Sequence, residues 1–273
     1  MLRLLAIEFF KLRHTRYFWV LGGLFMILLV SIPVAVHAFM DFLTEQGDNP
    51  LKQLGLQANQ IPLFDFVDLW QNLTWTYHFF SIFLGFISLI SLGNEYSYGI
   101  LRQNVIDGLS PRELLGSKLL FIAVLALVAT LVVFVTGLVC GYLWSPVTDW
   151  DFVVKHLEFL PAYWLHLFLF QLFCLCIAML IQRTGLTLAL LMFYVYAIEP
   201  ILTAWFEYKQ ELPWLADLFP VRAMGNFIPN PFPKYLLKQT ITTVPLPELC
   251  VGLIYLGLLL FLANWLMTRR DLR

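Results

Sequence analysis

The sequence predicts an all-α membrane protein with six transmembrane helices and both termini on the cytoplasmic side. Three observations predict it. Of 273 residues, 60% are hydrophobic and only 13% are charged, about half the charge of an ordinary soluble domain, so polar groups are too few to cover a globular surface. Six runs approach or exceed the length of about 20 apolar residues that crosses a hydrocarbon core of about 30 Å; they cover residues 17–39, 76–93, 119–143, 160–181, 185–205 and 249–267. These runs lack the period-two alternation of a membrane barrel, which leaves helices. The same composition argues against a soluble enzyme, a disordered chain or a nucleic-acid binder.

Residues 1–16 form a unit apart from the transmembrane domain of residues 17–273. The stretch LRLLAIEFFKLRHTR sets Leu2, Leu5, Phe9 and Leu12 at helical spacing, with Arg3, Lys11 and Arg13 largely elsewhere. That pattern describes a basic amphipathic helix in the inner interface; the plainer alternative is a charged flank that only fixes orientation. The first span is too long for a cleavable signal, and five more follow it.

Orientation follows the basic residues. The N-terminus, the 94–118 segment, the 182–184 turn and the C-terminal tail carry eleven positive and five negative residues; the opposite segments carry six positive and twelve negative ones. The first set is therefore cytoplasmic. Trp19, Trp75, Trp144, Trp164, Trp205 and Trp265 lie near span ends, where an indole bridges apolar and wet layers.

Residues 40–75 are expected to form an acidic outer loop whose second half, IPLFDFVDLWQNLTW, lies along the outer interface. Its Asn72-Leu73-Thr74 sequon is too common a match to carry weight. Residues 94–118 read as a helical cytoplasmic finger. Asp107-Gly108 is a turn signal, and Ser110-Pro111-Arg112-Glu113 combines an N-cap serine, a proline at the first helical position and the glutamate of a capping box. A helix should start there and run through Lys118 into the third span. Arg183 and Thr184 make a tight hairpin between the fourth and fifth spans. Residues 206–248 hold seven of the fourteen prolines, so one or two short interfacial or re-entrant helices are expected in this second outer loop.

Catalytic motifs are missing: there is no HExxH, no GxSxG, no spaced Cys/His set and no P-loop of the GxxxxGK[ST] form. Cys140, Cys174, Cys176 and Cys250 sit in apolar runs and read as small buried hydrophobes. Cys174 and Cys176 point about 160° apart on a helix, which does not suit a shared metal. His37, His78, His166 and Gln171 read as interhelical hydrogen-bonding groups. Glu199 is the one acidic residue inside a span, and Pro200 beside it frees the Tyr196 carbonyl and should distort the helix. Two readings of Glu199 stand open: a transport-path or gating group, or a wet carboxylate near the outer helix end.

The start LLAIEFFKLRHTRYFWVL and the finger NEYSYGILRQNVIDGLSPRELLGSKLL resemble the membrane subunits of ABC-2 type transporters, in particular the permeases of bacitracin and lantibiotic self-protection systems. In that family an amphipathic connecting helix with an acidic residue and a Lys-Leu-Arg/Lys run precedes the first span. The loop after the second span reads approximately E-[FY]-x-x-G-T-h-[RK], followed by S-R-x-x-h-h-x-x-K. Glu95, Tyr96, Gly99, Arg102, Ser110, Arg112 and Lys118 occupy this pattern, while Ile100 replaces the usual threonine and Pro111 separates Ser110 from Arg112.

The resemblance implies a non-catalytic subunit of an exporter in a bacterial cytoplasmic membrane. Two such permeases, identical or related, would form the path for an amphiphilic substrate, or transmit mechanical work. Two cytoplasmic ATPase subunits would hold the ATP and magnesium; this chain would bind no cofactor itself and no nucleic acid, and its remaining partner would be membrane lipid. Glu8, Lys11 and Arg13 of the connecting helix and Glu95, Arg102, Asp107, Gly108, Ser110, Arg112, Glu113 and Lys118 of the finger would receive the ATPase motion. Arg102, Arg112 and Glu113 are expected to make the charged contacts. The alternatives are an ATP-independent transporter or channel, which would need more intramembrane ionisable groups or paired broken helices, and a non-transporting scaffold.

Overall fold

The computed structural model describes residues 2–45, 63–233 and 243–269, and the described residues are helical with no strand. In chain order the helices are α1 (Leu2–Arg13), α2 (Arg16–Glu45), α3 (Phe66–His78), α4 (Ser81–Ser97), α5 (Ile100–Ile106), α6 (Pro111–Trp144), α7 (Trp150–Val153), α8 (Phe159–Ile181), α9 (Thr184–Lys209), α10 (Pro213–Ala216), α11 (Pro220–Gly225) and α12 (Leu246–Arg269). Five of these, α2, α6, α8, α9 and α12, are long and apolar enough to cross a membrane; α3 and α4, bent by 44° at a short break, count as a sixth if taken as one span.

Helix α8 is the hub. It packs against α3, α4, α6, α9, α11 and α12, and its fully buried Tyr163, Leu167, Phe170 and Cys174 fill the centre. Between apolar helices in lipid, close packing and buried hydrogen bonds supply specificity because apolar burial alone distinguishes little. Gln171 provides such bonds as expected: its Oε1 accepts from the Ser88 hydroxyl at 2.9 Å, and its amide donates to the Leu167 carbonyl at 3.2 Å. By contrast α2 leaves Val20, Leu24, Ile27, Val30 and Val34 exposed along one face, a surface suited to lipid.

Helix α3 corrects the expected outer loop. Residues 66–78 do not lie along a surface: Phe66, Leu69, Trp70 and Tyr77 are fully buried among α6 and α8. Gly137 and Gly141, one turn apart on α6, make room. A Cβ at Gly137 would sit 2.6 Å from the Trp70 ring, and one at Gly141 would strike the Phe66 ring. Trp70 Nε1 then donates to the Val153 carbonyl at 2.8 Å. Asn72 of the sequon is buried, its amide donating to the Leu63 carbonyl at 2.9 Å.

Two prolines leave orphan carbonyls, each handled differently. Pro33 inside α2 has no N–H for the Leu29 carbonyl four residues back, and the buried Tyr77 hydroxyl donates to that oxygen at 2.5 Å. Pro200 lies just beyond a π-helical turn, Tyr194–Ile198, through which α9 continues. The expected distortion is thus a widened turn, a common solution where a helix loses one backbone donor.

The two ends of the bundle differ. Gly93 of α4 approaches Thr184 of α9 at the end that carries the finger. At the opposite end the proline-rich chain forms α10 and α11, each with proline in its first turn, and buries Met224 and Phe227 against the bundle. Cys140, Cys174 and Cys176 are buried as expected, but Cys250 is exposed on α12.

Replacing Tyr77 with Phe strands the Leu29 carbonyl and should destabilise the fold by about 1–3 kcal/mol. In a Pro33→Ala background the carbonyl regains a helical partner, so the same replacement should cost clearly less; unfolding of the four proteins in micelles measures the difference.

Candidate functional site

Two regions bring chemistry-bearing side chains together, one at each end of the bundle. At the finger end, α1 directs Glu8 and Leu12, one helical turn apart, onto α6, while Phe9 packs edge-on against Phe121 at 5.3 Å. The expected apolar stripe therefore carries a carboxylate within it. Lys118 Nζ donates to Glu8 Oε2 and to Glu95 Oε1, both at 2.6 Å, and all three side chains are at most 6% exposed. Lys11 Nζ lies 3.3 Å from the same Glu95 oxygen and 3.6 Å from Glu8 Oε1. The result is a formally neutral cluster of two carboxylates and two ammonium groups. It ties α1 to the last turn of α4 and the second turn of α6.

The finger projects from this cluster. Gly99 separates α4 from α5, whose Leu101 is buried against the bundle. Asp107 and Gly108 make the turn, closed by the Leu109 N–H donating to the Asn104 carbonyl at 3.0 Å; Gly108 has φ of 96°, a conformation open to glycine at little cost. The expected capping box is present at α6. Ser110 Oγ accepts from the Glu113 N–H at 3.3 Å, and Glu113 Oε2 accepts from the Ser110 N–H at 2.9 Å.

The sequence-selected residues thus divide into two groups. Glu8, Glu95 and Lys118 meet in the interior with the half-buried Lys11 at their edge, whereas Arg13, Arg102, Asp107 and Arg112 are exposed. Ser110 and Glu113 are exposed too, but the Glu113 carboxylate is spent on the cap.

At the other end, a cavity of about 630 Å³ opens between the α3–α4 bend, α8, α9, α11 and the start of α12. Glu199 and Pro200 line it. Glu199 is 3% exposed, so it is not a wet helix-end carboxylate. Its Oε1 accepts from the Arg222 backbone N–H at 2.7 Å, whereas Oε2 meets no donor in hydrogen-bond geometry, although the Tyr194 hydroxyl and the Val221 amide lie near the carboxylate. The Arg222 guanidinium turns away to Glu207 at 2.6 Å and Asp217 at 2.8 Å. Partial burial disfavours its charge, but these two carboxylates outweigh that and push its pKa up.

His78 and His166 face each other edge-on in the cavity wall with ring centres 5.6 Å apart. His166 Nδ1 donates to the Met224 carbonyl at 2.8 Å, an interhelical bond as expected. His37 and His78 instead bond within their own helices, to Asp41 and to the Trp75 carbonyl. Sequence reasoning singled out Glu199 and Pro200 but missed their association with His78, Arg222 and Glu248. These come from separate segments with no shared spacing; the only local signal was a lone arginine between Asp217 and Asn226 in the proline-rich stretch.

A family model described as an ABC-2 family transporter protein matches residues 4–198. The chain belongs to the ABC-2 transporter family. A search of the curated proteins found no match. As an ABC-2 permease it is a non-catalytic membrane subunit, and among the described residues no group of three or more His, Cys, Asp or Glu could hold a metal ion. ABC-2 permeases generally pair with ATPase subunits. The matched residues include all of α1 but its first two residues, the ion cluster and the whole finger, and stop one residue before Glu199.

Lys118→Met would leave Glu8 and Glu95 buried without their shared cation. Breaking one partner of a buried ion pair costs about 3–5 kcal/mol, so thermal unfolding in detergent should show a large loss. Adding Glu8→Gln and Glu95→Gln to the same protein should restore most of it.

Proposed function

We propose that this chain is the membrane permease subunit of an ABC-2 type exporter of the kind found in bacitracin and lantibiotic self-protection. Two copies, or two related permeases, line the path, and two ATPase subunits holding ATP and magnesium dock at the finger. The bundle has six spans in a bacterial cytoplasmic membrane, with the finger and both termini inside. The excess of basic residues in the finger-side segments supports that orientation. The substrate is amphiphilic, in keeping with a cavity walled by aromatic and apolar side chains at the far end.

One observation carries the reading: a capped, exposed finger bearing Arg102, Asp107 and Arg112 is fixed to three helices by the buried Lys118 cluster. A push at the finger is transmitted to α4, α6 and α1 together, because breaking the cluster is costly. The exposed charges suit a docking surface, where complementary charges set register and like charges repel. Glu113 contributes by holding the start of α6, and Arg102 and Arg112 supply the free positive charge.

Charge reversal at Arg112 tests this. With the partner ATPase co-expressed, Arg112→Glu should reduce co-purification and coupled ATP hydrolysis at least tenfold, while Ser110→Ala should lower stability by about 1 kcal/mol and spare most of the coupling. Unchanged co-purification and hydrolysis in Arg112→Glu would remove the finger from the docking surface.

A further inference from the structure

The cavity at the end opposite the finger is lined by residues with unpaired acceptors. Among the described residues, five buried side-chain oxygen or nitrogen atoms have no hydrogen-bond partner, and three of them, Glu199 Oε2, Glu248 Oε2 and His166 Nε2, belong to residues lining this one cavity. Each is an acceptor. The carboxylate oxygens are so by nature, and His166 Nε2 is so in the neutral ring because Nδ1 carries the proton donated to Met224. A buried acceptor left open costs about 1–3 kcal/mol, and three around one space describe a site awaiting donors.

The charges agree. Arg222 is the one lysine or arginine among the described lining residues, and its guanidinium is already taken by Glu207 and Asp217. Glu199 receives only a backbone N–H from it. Among the described lining residues the cavity therefore presents two carboxylates with no free cation beside them. Trp75, Phe79, Ile82 and Phe170 give the remaining wall a broad apolar area beside Ser81, Thr203, Asn226 and Asn230, and the cavity volume of about 630 Å³ falls within the range of about 300–1,000 Å³ usual for ligand sites.

We propose that this cavity binds a cationic amphiphile: a protonated amine whose N–H groups meet the open oxygens of Glu199 and Glu248, with its apolar body against the aromatic wall. Charge-assisted hydrogen bonds to a carboxylate are roughly twice as strong as neutral ones, so the amine determines selection and the apolar wall adds affinity. An anionic headgroup would meet two carboxylates and, among the described lining residues, no available counter-charge. The proposal deepens the exporter reading by naming the substrate class, and it rests on that reading only for the fate of the bound molecule.

The test uses the full chain in phosphatidylcholine nanodiscs, without ATPase or nucleotide, and titrates decylammonium, decanol and decanoate against it, with empty discs as reference. Decylammonium should bind saturably at one per chain, and decanol and decanoate at least tenfold more weakly. Glu199→Gln and Glu248→Gln should each weaken decylammonium at least tenfold and leave decanol unchanged; Asp149→Asn, at an exposed carboxylate, should alter nothing. Equal binding of decanol, undiminished decylammonium binding in both glutamine variants, or no saturable binding of any probe overturns the proposal. Should a glutamine variant fail to elute as a folded species, the three-probe comparison on the unmodified chain still decides. Because no ATPase takes part, failure here leaves the docking of the finger untouched, and failure of the Arg112 test leaves this site standing.

Discussion

Lys118 is the constraint on which the finger end of the molecule depends. Its ammonium is 2.6 Å from two carboxylates that arrive from helices far apart in the chain, and all three groups are buried. Desolvating three charges is expensive, and the cost is tolerable only because geometry and opposite charge compensate it. Such a cluster adds little net stability over an apolar core. What it adds is definition: α1, the end of α4 and the start of α6 have one low-energy arrangement, with Lys11 completing the charge balance. The exposed finger inherits that rigidity through its capping box.

Helix α4 joins this cluster to the cavity. Ser81 and Ile82 in its first turn line the cavity, and Glu95 near its other end enters the cluster. At 1.5 Å per residue the separation is about 20 Å. A single helix with a fixed charge at one end and a bend at the other is a simple route by which finger and cavity could influence each other. The cavity end is the softer partner. Its backbone includes the 44° bend before α4, the π-helical turn before Glu199 and two proline-started short helices, and among the described residues three buried polar atoms lining it lack a partner, against one, Glu95 Oε2, in the finger-end cluster.

The sequence made the finger end legible because its signals are local. Ser110, Pro111 and Glu113 specify a helix start within four residues, and the Asp107-Gly108 turn sits beside them; both appear in the structure where they were expected. Glu8, Glu95 and Lys118 were legible as members of a pattern but not as a cluster, since Glu8 and Lys118 are 110 residues apart. Helix α3 was misread for a related reason. Its apolar and aromatic residues, following an acidic stretch, suggested a segment lying along the interface, while the space that buries Trp70 and Phe66 is set by glycines on α6. Glu199 was visible as an ionisable residue in an apolar run, but its burial depends on the chain folding back to place Arg222 over it. Long-range partners of this kind leave no periodic trace.

The central claim is that α1 and the finger form one body held by the Lys118 cluster. Pulsed electron-spin distance measurement tests it most directly, with labels on cysteines placed at exposed Phe10 and Arg102 and with Cys250, the exposed native thiol, replaced by serine. In lipid nanodiscs the distance distribution should be single and narrow, and it should broaden when Glu8→Ala removes one arm of the cluster. A broad distribution in the intact protein, or a narrow one that Glu8→Ala leaves unchanged, would contradict the account.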